Sequence, residues 1–205
     1  MASSRLAMLA TLFAGCATVR SAPTTTLTVR EAAGEVSLPA LLQRADATVF
    51  VFWSAGCPCV RRYQARVEAL KAQYAGRVAF VAVSSNADET LESVTASAVE
   101  RGVTLPFVRD EGGGLARSLN ARTTPTVVLV QRDGTVRFTG WLDNEHLPGE
   151  GDREPWLERA LEGFTAHTAF AARSPTWGCT ITRSLGAARE CHADTTAPAS
   201  QGLTP

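Results

Sequence analysis

Cys57 and Cys59 stand one residue apart in WSAGCPCVRRY, residues 53–63, between an apolar run and a stretch with helical spacing. Two thiols at a strand-to-helix junction point to sulfur redox chemistry. The first N–H groups of a helix lack partners and its dipole is positive there, so thiolate is favoured over thiol. A lowered thiol pKa makes Cys57 the expected nucleophile and Cys59 the expected resolving thiol. Arg61 and Arg62, in the first turn, are candidates for lowering it further; their alternative role is a solvated helix face. A purely structural Cys57–Cys59 disulfide closes almost no loop and so adds little stability. The tight ring instead predicts a bond that is easily reduced, suited to passing a disulfide on or shuffling others.

The chain has five cysteines: Cys16, Cys57, Cys59, Cys179 and Cys191. If Cys16 is taken up by lipidation, four remain. The simplest pairing joins Cys57 to Cys59 and Cys179 to Cys191, and two other connectivities are open. Cys179 and Cys191 are candidates for a structural disulfide that pins the tail; in the sharper reading, one of them resolves Cys57. The rival chemistry is metal carriage, with Cys57, Cys59 and a third soft ligand from Cys179, Cys191 or His192 holding Cu(I) or Zn. His146 is a further possible ligand. The preferred reading assigns no cofactor and no metal.

A second feature is TTPT, Thr123 to Thr126, directly before a strand. An X-Pro bond there is a candidate for the cis form, although trans is commoner.

The elements that position these residues follow from periodicity. Thr48–Trp53 and Arg77–Ser84 are β-rich apolar runs, the mark of strands buried on both faces. Pro58–Tyr74 has helical spacing, with Pro58 suited to a first turn and Gly76 beyond the end. Leu38–Ala45 is a short helix, and Asp88–Arg101 a helix capped by Asp88 or Asn86. Phe107–Val108 is a short strand and Leu115–Asn120 a short helix. Thr126–Gln131 and Val136–Trp141 form a hairpin around Arg132-Asp133-Gly134-Thr135. Glu154–His167 is a last amphipathic helix. SPTWGCTITR adds a possible strand, and the residues after Cys191 read as disordered. Early strand–helix alternation implies parallel crossovers and the hairpin makes the sheet mixed, so the expected class is α/β, a central mixed sheet flanked by helices.

The N-terminus reads as a targeting segment: Arg5, the apolar Leu6–Phe13, then FAGC ending at Cys16. Residues 1–15 are expected to be a lipoprotein-type signal peptide. Residues 16–34 are the lipidated Cys16 and a tether, 35–170 the folded domain, and 171–205 a Cys-containing C-terminal extension. The alternative is an ordinary secretory signal cut nearby. Twenty basic and twenty acidic side chains balance, which gives no electrostatic argument for nucleic acid. The expected location is the cell envelope, with membrane contact through the lipid alone.

VFVFWSAGCPC, TTPTVVLV and RDGTVRFTGW together resemble the active-site strand, cis-Pro loop and following hairpin of the thioredoxin superfamily. The resemblance is closest to the redoxin branch of the alkyl hydroperoxide reductase and thiol-specific antioxidant group, where Arg62-Tyr63 and Gly178-Cys179-Thr180-Ile181 also have counterparts. It implies a thioredoxin-like fold, a solvent-facing Cys57 nucleophile, and a substrate groove formed by Pro125, Thr124 and Trp53. Thr124 would offer its backbone to a bound substrate chain. The implied activity is thiol–disulfide exchange with protein thiols and an electron donor or acceptor. There are departures. The usual second cysteine position is Val60, and the buried Asp of thioredoxins is Val51. Of the peroxidatic pattern, Phe50 replaces Pro and only the hydroxyl of Ser54 survives, which argues against the peroxidase alternative.

Overall fold

The computed structural model describes residues 27–145 and 152–185, together with the backbone of a strand at 191–194. The signal segment, Cys16 and His146 lie outside the described residues. In chain order, a hairpin of β1 (Thr28–Glu31) and β2 (Gly34–Ser37) leads into α1 (Leu38–Leu42), β3 (Ala47–Phe52) and α2 (Pro58–Gln73). Then come β4 (Val78–Ser84), α3 (Leu91–Glu100), β5 (Phe107–Arg109), α4 (Gly114–Ser118) and the two-residue β6 (Thr123–Thr124). The hairpin β7 (Thr126–Gln131) and β8 (Val136–Gly140) follows, then α5 (Trp156–Ala166), β9 (Thr176–Thr180) and β10 (Cys191–Asp194).

The main sheet has seven strands in the order β2-β1-β5-β4-β3-β7-β8. β3 runs parallel to β4, and β4 to β5, while β7 and β8 are antiparallel to their neighbours. This is the mixed sheet that the strand–helix alternation and the late hairpin imply. β3 is buried at every position. Its residues divide with the two-residue period of a strand. Val49 and Val51 join one apolar layer with α2, α3 and α5, and Phe50 and Phe52 join the other with α1 and α4. A central strand covered on both faces holds its ends firmly, and Cys57 follows the end of β3 by five residues.

Three local expectations change. Residues 28–34, expected as tether, belong to the β1–β2 hairpin at the edge of the sheet, where Arg30 pairs in register with Arg109 of β5. Helix α3 is capped by Thr90, in a reciprocal box with Ser93, and not by Asp88 or Asn86. The segment expected as an extension is part of the fold: β9 pairs with β6 and β10 in a second, three-stranded sheet.

β9 is docked by aromatic packing and by hydrogen bonds beyond its end. Trp177 lies 4.5 Å from Trp141 and stacks on Trp156 at 5.7 Å between ring centroids. The Trp141 indole N–H donates to the Trp177 carbonyl at 2.9 Å. The N–H of Ile181 donates to the Arg122 carbonyl, and the N–H of Ala87 to that of Thr182. Ile181 is buried in the layer that holds Phe50 and Phe52. Trp177→Ala removes the aromatic half of this docking. It is expected to cost about 2–3 kcal/mol, read as a lower denaturant midpoint, and to open residues 171–185 to limited proteolysis.

Candidate active site

Cys57 is the N-cap of the 16-residue helix α2, and Pro58 occupies its first turn. The Thr124–Pro125 peptide that faces it is cis. The threonines of TTPT brace this loop: Thr126 Oγ1 donates to the Thr123 carbonyl at 2.7 Å, and both side chains are buried. β6 is formed by the two residues before Pro125, and it pairs antiparallel with β9, Thr123 opposite Thr180 and Thr124 opposite Cys179. This edge of the loop, the expected docking strip for a substrate chain, is therefore taken by the protein's own C-terminal segment.

That pairing brings Cys179 to Cys57. Their sulfurs are 2.7 Å apart, and the Cys57 thiol also donates to the Thr124 carbonyl at 3.1 Å. Cys57, Cys59 and Cys179 are thiols and not disulfides in this structure, and the three sulfurs lie within 4.8 Å of one another. Cys57, expected to face solvent, is 0% exposed, because β9 and the cis-Pro loop cover it. Cys59 is half-buried. Cys191 lies opposite Cys179 in the backbone register of β9 and β10.

Gly178 makes the approach possible. Its φ is +114°, a conformation side chains rarely adopt, and a Cβ there would run into the Thr124 carbonyl oxygen. The Gly-Cys dipeptide before Ile181 is thus read physically: the glycine admits the strand and the next residue presents the thiol.

The electrostatics of Cys57 combine opposed effects. Burial raises its pKa; hydrogen bonds from the Cys179 and Thr124 side chains, and from the N–H groups of Val60 and Cys179, lower it, and the net shift is downward. The Thr124 carbonyl works against these, since it accepts only from the protonated thiol. Arg61 and Arg62 are both exposed and are not among the principal causes of the shift. The nearby cation is Arg101, at the C-terminal end of α3. Its guanidinium sits 5.3 Å from the Trp53 ring centroid, donates to the Ala55 carbonyl and interacts electrostatically with Cys57. Trp53 lies in the same apolar layer as Cys57, edge-on to Phe107 at 5.0 Å.

Sequence reasoning missed Glu89. Its buried carboxylate accepts from the Ser54 hydroxyl at 2.8 Å, the Ala55 N–H at 2.9 Å, the Ser84 hydroxyl at 2.8 Å and the Asn86 side-chain amide at 3.3 Å. The carbonyl oxygen of the Asn86 side chain accepts from the Thr182 N–H at 2.9 Å. One polar network therefore ties the loop before Cys57 to the residues just beyond β9. In NADET, Glu89 sits among polar residues, and nothing in its neighbours marks it as buried. Ser54, the remnant of the peroxidatic pattern, is committed to this network.

Two outcomes follow. A folded Cys57 pKa below the unfolded value means that the stabilisation from this thiolate is present above the ordinary thiol pKa of about 8.5. It is lost as pH falls through the lower folded value. The thiolate ultraviolet absorbance lost on Cys57→Ser, which reads the docked state, should titrate with a midpoint below pH ~8.5; a midpoint at or above that value contradicts the assignment. Gly178→Ala should push β9 off the cis-Pro loop, so that Cys57 is alkylated several-fold faster and mild oxidation yields less Cys57–Cys179 crosslink.

Known structures share this architecture. A hypothetical protein of Sinorhizobium meliloti is 26% identical, with a TM-score of 0.68 over 80% of this chain and 93% of its own. An uncharacterized conserved protein of Geobacillus kaustophilus is also 26% identical, with a TM-score of 0.69 over 82% and 93%. A Neisseria meningitidis protein named as a thioredoxin is 19% identical, with a TM-score of 0.53 over 72% and 91%, a likeness of fold. No curated protein matches the chain. The redoxin family profile matches residues 18–152, well over half of the sequence and including Cys57, Cys59 and the cis-Pro loop, so the chain belongs to the redoxin family of the thioredoxin superfamily.

Proposed function

We propose that this protein is an exported thiol–disulfide oxidoreductase, with Cys57 as nucleophile and Cys179 as the thiol that resolves it. The observation that carries this reading is the 2.7 Å separation of the two sulfurs at the N-terminus of α2. Cys57 is covered when β9 is docked, so exchange with an external disulfide begins with β9 off the loop. The Cys57 thiolate then attacks one sulfur of the substrate disulfide. A mixed disulfide forms and one substrate thiolate leaves. As β9 returns, the Cys179 thiolate attacks the Cys57 sulfur and releases the second substrate thiol. The protein is left with a Cys57–Cys179 disulfide, which an external dithiol donor reduces. The same steps run backwards deliver a disulfide to a reduced partner. Cys59, half-buried beside the pair, is the alternative resolving thiol. The groove for a protein substrate is the edge of Thr124 and Pro125, with Trp53 behind it.

Export rests on the N-terminal sequence: Arg5, the apolar Leu6–Phe13 and Cys16 as the lipidation site. No described helix is long and apolar enough to cross a membrane. The proposed attachment to the cell envelope is through the lipid on Cys16.

Cys57→Ser should abolish exchange in an insulin- or glutathione-disulfide assay; unchanged exchange ends the enzyme reading. Cys179→Ala should accumulate mixed disulfides with partner proteins, while Cys59→Ala should keep most turnover; the reverse pattern makes Cys57 and Cys59 the working pair. Equilibration with a glutathione buffer sets the direction. A potential near −270 mV, about that of thioredoxin, indicates a reductase, and a clearly higher one an oxidant or isomerase.

A further inference from the structure

The geometry points to a second use of the same cluster: in the reduced protein, Cys57, Cys59 and Cys179 form a three-thiolate site for a single soft ion, Cu(I). The three sulfurs come from the first turn of α2 and from β9, and lie within 4.8 Å of one another. With metal–sulfur bonds of about 2.3 Å, three sulfurs around a trigonal ion are about 4.0 Å apart. The 4.8 Å bound on the three sulfurs is within about 1 Å of that spacing, and the Cys57–Cys179 pair, at 2.7 Å, has to open to reach it.

The donor set selects the ion. Among the described residues, no carboxylate or imidazole joins the three thiols in this group. All-sulfur ligation favours soft, thiophilic ions. A structural zinc site calls for a fourth ligand, which the cluster does not contain, whereas a monovalent d10 ion is satisfied by three thiolates.

The surroundings suit the charge that results. Binding replaces three S–H bonds by three metal–sulfur bonds and releases three protons, with no electron transferred. The complex carries two negative charges. It sits at the N-terminus of α2, within reach of the Val60 and Cys179 N–H groups and of the field of Arg101. Cys57 and Cys179 are buried, while half-buried Cys59 gives the ion its way in. Metal binding and a Cys57–Cys179 disulfide exclude each other, since the disulfide consumes two of the ligands.

This inference stands apart from the exchange reaction, because it needs the three thiols in place and no turnover. The test uses the full chain, reduced with dithiothreitol, freed of it anaerobically, and titrated with Cu(I) against the coloured chelator bathocuproine disulfonate. The expected result is one copper per chain with a near-ultraviolet sulfur-to-copper band. Cys59→Ser and Cys179→Ser should each weaken binding at least about ten-fold, and Cys16→Ser and Cys191→Ser should leave it unchanged. Cys59→Ser alters a half-buried first-turn side chain, and its circular dichroism should match that of the parent. Chain oxidised with diamide to the Cys57–Cys179 disulfide should take up none. The inference is overturned if the chelator keeps all the copper, if Cys59→Ser and Cys179→Ser bind like the parent, or if excess zinc displaces the copper.

Discussion

The site depends on one close backbone approach, that of β9 to the strand residues before Pro125. Two residue pairs set β6 and β9 in antiparallel register, and they form only because Gly178 has no side chain to meet the Thr124 carbonyl. Everything chemical follows from that contact. It places a second thiol against Cys57, removes Cys57 from solvent, and supplies one of the N–H groups that favour its thiolate. A helix N-terminus alone would give a moderately activated, exposed cysteine. The added strand converts it into half of a buried thiol pair.

The contact is held from both sides. At the start of β9, the Trp177 ring packs against Trp141 and Trp156, an apolar interaction without much directional demand. Beyond it, Thr182 binds Asn86, Asn86 binds Glu89, and Glu89 binds the loop of Ser54 and Ala55. This second attachment is directional, and a buried carboxylate is costly unless its acceptors are filled. Glu89 therefore couples two segments that have no reason to be near each other in sequence. If the tail lifts, the network loses its Thr182 partner while Glu89 keeps its loop donors, so the residues before Cys57 can stay in place as β9 moves.

Much of this was legible from local pattern. β3 declared itself as a strand buried on both faces, Pro58 marked the first turn of α2, and Thr123–Thr126 carried the cis proline. The hairpin of β7 and β8 was written in its turn residues. Each of these is decided by a residue's own neighbours in the chain. The rest was not. Arg61 and Arg62 were plausible by proximity in sequence, yet the helix turns both to solvent and Arg101 arrives from another helix. Cys179 was read foremost as a staple for the tail, because no periodicity records that a strand from the C-terminal region lands on the loop before Pro125. Glu89 was invisible for the same reason: its burial is a property of the assembled fold.

The two sulfurs that meet in the site are separated by 122 residues, and the second belongs to β9, which follows every strand of the main sheet in the chain. A chain crossing a membrane or leaving the ribosome N-terminus first presents Cys57 long before Cys179 can reach it. During that interval Cys57 has its helix but neither its cover nor the Cys179 thiol. A product truncated anywhere before β9 thus lacks both Cys179 and the strand that covers Cys57, and keeps Cys59 as the thiol beside it.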